Sequence, residues 1–309
     1  MRLLSWAGAT LVLVLAAWLW LGGGADDIAR WAASGQRDTQ NALAGALRRV
    51  RTGDIAAWGA LLALCFGYGF FHAAGPGHGK LVIGGYGLAR KVPVLRLTLI
   101  SLAASMAQAA AAVALVYAGV LVLGWSRDQL VGSAEDWFAP ASYGAIALVG
   151  LWLAWRGARR LRPRRDTHDH HDHHGHDAHH DHDHDHDGHC EVCGHRHGPT
   201  VEEVMETHSL RDALVLIGAI AIRPCTGAIF VLILTYQMGI AAAGIAGAFT
   251  MGLGTACVTI AVALAATTLR GGLLGQIDGP RAARAMAMLE LSAGAIIALL
   301  ATQIALRMV

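Results

Sequence analysis

The sequence predicts an all-α integral membrane protein with about seven transmembrane helices: an N-terminal anchor followed by a 3+3 inverted repeat with broken helices. Three observations carry this. Of the 309 residues, 55 % are hydrophobic and only 15 % charged, a balance suited to lipid rather than water. Apolar runs of roughly 20 residues, the length that crosses hydrocarbon, recur near 5–23, 57–75, 97–124, 139–155, 210–240, 241–269 and 286–305. The last six divide around one long polar loop, and each half opens with a long apolar run interrupted by proline, Pro76 or Pro224.

Residues 1–25 carry one early arginine and an apolar run ending in small residues, the pattern of an uncleaved anchor or a cleaved signal peptide. Trp18 and Trp20 near its end favour the anchor. Residues 26–56 then form an extracytoplasmic segment, 57–155 the first three-helix half, 156–209 a cytoplasmic loop and 210–309 the second half. Arginines set this orientation, because cytoplasmic loops are enriched in Lys and Arg. Arg156, Arg159, Arg160, Arg162, Arg164 and Arg165 follow the fourth run, and Arg90, Lys91 and Arg96 precede the third. The intervening SRDQLVGSAEDW is acidic and is expected outside; the arginines of 26–56 run against the trend. A net charge of +2 gives no basis for nucleic-acid binding, and the five cysteines form no secreted disulfide framework.

An odd number of spans per half makes the second half enter from the opposite side. Gly/Pro-interrupted spans at corresponding positions of two such halves mark a transporter's binding site. Irregular backbone survives at membrane depth only where it is buried in protein or lines a cavity.

The central loop points to metal. Between 168 and 197 it holds fourteen of the seventeen histidines, alternating with aspartates. His168, His170, His171, His173, His174, His176, His179, His180, His182, His184 and His186 offer overlapping imidazole and carboxylate sites for first-row divalent ions. His189, Cys190, Cys193, His195 and His197 form a tighter cluster whose C-x-x-C spacing suits tetrahedral zinc. Such a polar tract cannot bury apolar surface by itself.

The stretch FFHAAGPGHGK places His72 and His78 inside a predicted span. In an unbroken helix residues six apart lie about 120° off one face, so the two rings converge on one ion only where the helix unwinds. Gly75-Pro76-Gly77 supplies that break. Lys80 follows without the G-x4-G-K-[ST] pattern of a phosphate loop, since Ala74 and Leu81 stand at its ends, and is expected to snorkel to the boundary. At the second break, IRPCTGAIF sets Arg223 and Cys225 around Pro224, and a thiolate at 225 would suit a transition metal. Gly252, Gly254 and Thr255 suggest close helix packing, Gln108 a polar contact in an Ala-rich span, and Glu290 a proton-coupling candidate.

HAAGPGHGK on a broken span, the His/Asp-rich loop and a second proline break resemble the nickel/cobalt transporter family, specifically its efflux branch, over 57–305. The uptake branch carries His-x4-Asp-His with a further Asp inside. This chain keeps the His72–His78 spacing but has Gly75 and Gly77 at the acidic positions, which favours efflux. The resemblance implies His72 and His78 as metal-site residues.

The expected function is therefore a secondary transporter exporting Ni²⁺ and Co²⁺ across a bacterial inner membrane, in support of metal resistance. The alternatives are a nickel/cobalt uptake permease, or a membrane thiol–disulfide electron carrier using Cys65 and Cys225. The chain is not expected to be an enzyme: it has neither H-E-x-x-H nor a nucleotide loop. Expected partners are membrane lipid, divalent ions and a second copy in a homo-oligomer. No cofactor is expected to be permanently bound, with Zn²⁺ at the CxxC cluster as the one resident ion.

Overall fold

The computed structural model describes residues 22–75, 83–87, 92–161, 213–274 and 280–308, together with Trp18 and Arg211. All regular structure among them is helical: α1 Gly24–Arg51, α2 Ala56–Ala74, a short turn at 83–87, α3 Val94–Leu121, α4 Arg127–Leu161, α5 Ala213–Ala221, α6 Thr226–Gln237, α7 Ala241–Leu274 and α8 Pro280–Met308. Five of these are long and apolar enough to cross a membrane, and the bent pair α5–α6 makes six. The predicted anchor lies outside the described residues apart from its edge.

Both expected breaks are present, with one cause. A residue preceding proline is pushed out of helical conformation. Gly75, before Pro76, caps α2 with extended backbone (φ −62°, ψ 170°). Before Pro224 the chain leaves α5, and it re-enters a helix only after Cys225 (φ −69°, ψ 122°), with the axis bent by 58°. The first break thus ends a helix at its C-terminus, while the second starts one at its N-terminus.

Helix packing crosses the halves. α2 lies against α7 and α6 against α3, α3 also packs on α7, and the most extensive pairing is α4 with α8. Close approach rests on glycine. A Cβ at Gly150 would lie 2.6 Å from the Ala298 nitrogen, and one at Gly157 2.5 Å from that of Leu291. Small residues let backbones meet in this way where lipid supplies no hydrophobic drive. Gly69 and Gly254 serve α2 and α7 similarly, and the Thr255 hydroxyl donates to the Gly69 carbonyl at 3.2 Å. Leu95, Leu99, Leu148, Leu151, Leu299 and Leu306 point outward, as lipid-facing positions should.

Two segments that fall between the apolar runs, 26–56 and 125–138, are helical. Within 26–56, α1 runs antiparallel along α2: Trp31 packs edge-on to Phe70 and Phe71, Gln36 donates to the Tyr68 hydroxyl at 3.1 Å, and Arg49 pairs with Asp54 at the connecting turn. Leu43, Leu47 and Val50 bury its apolar stripe beneath exposed charge. In the acidic stretch 125–138, Ser126 and Gln129 form a reciprocal capping box that starts α4 at Arg127, and a π turn at Ala134–Phe138 carries the helix onward. Leu130, wholly buried, anchors that first turn.

Candidate functional site

A cavity of about 220 Å³ opens between the last turn of α2 and the break ahead of α6. α2 contributes His72 and Ala73, the second break Arg223, Pro224, Cys225 and Thr226, α3 Ser105 and Gln108, α4 Ser142 and Tyr143, and α7 Thr255 and Thr259. The last turn of α2 holds His72 half-buried, its ring stacked on Tyr68 with planes 8° apart and centroids 6.1 Å apart. Tyr68 is fixed in turn by Gln36 and by the space left at Gly227, where a Cβ would overlap its ring. This chain of contacts orients the imidazole from α1 through α2 to α6, an outer-shell support of the kind that sets ligand geometry.

The opposite wall is built on Arg223. Its backbone carbonyl, freed by the break, accepts from Gln108 Nε2 at 2.8 Å, and its guanidinium donates to the Tyr143 hydroxyl at 2.5 Å. The Ser142 hydroxyl satisfies the carbonyl of Ala219 in the same broken region at 2.9 Å. Side chains of α3 and α4 thereby close the backbone groups that a bent span leaves without partners.

Of the residues predicted for the site, His72 and Cys225 line one cavity although they are far apart in sequence. His78 and Lys80 lie outside the described residues, as do the histidines and cysteines of the 168–197 tract. Among the described residues no three His, Cys, Asp or Glu side chains cluster, and no carboxylate lines the cavity. Cys65, Cys225 and Cys257 are free thiols; Cys65 is wholly buried and does not reach the cavity lining. Glu290, also wholly buried, lies apart from the cavity: Arg156 Nε stands 3.0 Å from one oxygen and Arg160 donates to the other at 2.9 Å.

Gln108 and Thr255 were singled out in the sequence, but the lining residues Ser105, Tyr143 and Thr259 drew no attention there. Ser105 and Gln108 share a helix face with Ser101, at spacings of four and three, and Thr259 lies one turn beyond Thr255. That polar periodicity inside apolar spans was the available signal. Tyr143 had none, since its partner Arg223 lies in the other half.

A family description, "High-affinity nickel-transport protein" (NicO), matches residues 58–309, beginning at the start of α2 and running through both breaks. The chain belongs to the NicO family. A relative from Haemophilus influenzae, named "Putative nickel/cobalt efflux system", is 27 % identical over 235 residues, covering 75 % of this chain and 72 % of its own. No solved structure matches. This NicO protein is a multi-pass inner-membrane protein of a nickel/cobalt transport family, and the thiol–disulfide alternative gives way to that membership. The match leaves out α1, which the NicO core uses as a brace on Tyr68.

Proposed function

We propose that this protein exports Ni²⁺ and Co²⁺ from the cytoplasm by alternating access around the cavity between the two breaks. The observation that carries the reading is the convergence of His72 and Cys225, one from each interrupted span, on that cavity. Imidazole and sulfur are suitable donors for these ions, and His78, six residues after His72 beyond the Gly-Pro-Gly break, is the third candidate ligand. The crossed pairing of α2 on α7 and α6 on α3 supports two halves related as an inverted repeat.

Efflux as the direction is supported by the Haemophilus influenzae relative's name and by glycine at 75 and 77. The 168–197 tract then collects metal on the cytoplasmic side, with Zn²⁺ held at the Cys190 and Cys193 cluster. Cellular nickel and cobalt, measured with and without expression in metal-stressed cells, test direction and cargo together. Lower metal content and higher tolerance are expected; a rise in cellular nickel would establish uptake instead.

A further inference from the structure

The outer face of α1 is charged at a depth where lipid would be apolar. α1 runs antiparallel to α2 along nearly its whole length: Arg49 meets Asp54 at the connecting turn, Leu43 and Leu47 join the cluster around Leu61, and Trp31 meets Phe70 and Phe71. α2 is apolar enough to cross a membrane, and its 19 residues reach about 28 Å at 1.5 Å each, close to the thickness of hydrocarbon. Gln36 and Thr39 of α1 stand level with Tyr68 and Gly67, well inside that span.

The face of α1 turned away from α2 carries Asp27, Arg30, Ser34, Arg37, Asp38 and Asn41, all exposed among the described residues, while Leu43, Leu47 and Val50 are buried on the other side. Charged side chains facing hydrocarbon are costly, so such groups turn to protein or water instead.

The chemistry of this face fits a second copy of the same chain. Its charges come in both signs side by side: Asp27 pairs with Arg30 one turn along, and Arg37 adjoins Asp38. A two-fold axis along the membrane normal makes one patch meet itself. Arg37 then stands opposite the partner's Asp38, and Asp38 opposite the partner's Arg37. Ser34, Arg37 with Asp38, Asn41 and Gly45 recur at steps of three and four, the spacing of a seam between two parallel helices. A Cβ at Gly45 would meet nothing within 4 Å, so the seam is open there. The apolar run 5–21 of the same chain contains no charged residue and offers Arg37 and Asp38 no ion-pair partner.

We propose that α1 lies within the depth of the membrane, not beyond it in an extracytoplasmic segment, and that its outer face is the interface of a homodimer in which Arg37 and Asp38 pair reciprocally. The interface falls outside the family's matched residues 58–309, so it is an addition to the transporter core. Because α1 also carries Gln36, which fixes Tyr68 behind His72, one helix joins the partner to the cavity wall.

The test is photobleaching step counting on the full-length protein, labelled with one fluorophore at its C-terminus and reconstituted in liposomes of phosphatidylethanolamine and phosphatidylglycerol over a range of protein-to-lipid ratios. The wild type is expected to bleach in two steps. Arg37→Asp and Asp38→Arg each place like charges opposite one another and should weaken dimerisation roughly tenfold or more. The double variant Arg37→Asp/Asp38→Arg restores the pairing and should recover two-step bleaching, which also shows that the altered helix folds. A wild type that bleaches in one step at every ratio overturns the proposal, and so does a dimer indifferent to both single variants. Loss in the single variants without recovery in the double overturns the reciprocal pair.

Discussion

At the scale of single residues, His72 gathers the most support around it. Its ring is set by Tyr68, and Tyr68 by Gln36, so a change two contacts away should be felt at the cavity. Gln36→Ala is expected to weaken nickel transport about tenfold, the low end of what loss of an outer-shell partner costs, with little change in melting temperature; flux measurements on reconstituted protein check this. Asp54 illustrates a purely structural carboxylate. The hydrogen bonds from Arg49 hold its carboxyl below the usual carboxylate range, and the Ala56 amide adds to the effect. Because the folded value is lowered, its stabilisation is present above the unfolded value of about 3.8 and fades as pH falls through the folded one. The melting temperature should therefore drop on acidification below pH 4, and Asp54→Asn should remove that component of the drop. His72 and Cys225 were legible as candidates because broken spans are rare and conspicuous. Tyr143 and its bond to Arg223 were not, since that partnership joins residues 80 positions apart.

At the scale of elements, α4 and α8 behave as one piece. Glycines bring the two backbones together, and Arg156 and Arg160 grip Glu290 between them. Removing one member of a buried ion pair leaves uncompensated charge. Glu290→Gln is expected to lower stability by about 3 kcal/mol, the half-exposed Arg160 keeping the loss at the low end; thermal unfolding in detergent measures it. Gly157→Leu places side-chain atoms where the α8 backbone already stands and should cost about 1–3 kcal/mol or more through overpacking. The apolar runs announced most spans, since length and hydropathy are local properties. Their extensions were missed for a physical reason: α1 is too charged to register as a span, and the start of α4 depends on the cap formed by Ser126 and Gln129 rather than on hydropathy.

At the scale of the whole molecule, we propose that the histidine-rich tract 168–197 supplies metal to the cavity. If the tract collects metal and the cavity moves it, deletion of 168–197 should lower efficiency at scarce cytoplasmic metal and leave transport at saturating metal intact. Concentration-dependent efflux distinguishes the two regimes. The two breaks were readable in the sequence because each proline interrupts an apolar run; the convergence of His72 and Cys225 on one cavity required the crossed packing of α2, α3, α6 and α7. The central claim is that His72 and Cys225 act together at that cavity. Nickel-63 flux in proteoliposomes containing the wild type, His72→Ala, Cys225→Ser or both tests it most directly. Each single change is expected to lower flux at least tenfold, and the double change to cost little more, as for two ligands of one ion. Wild-type flux in both single variants would contradict it.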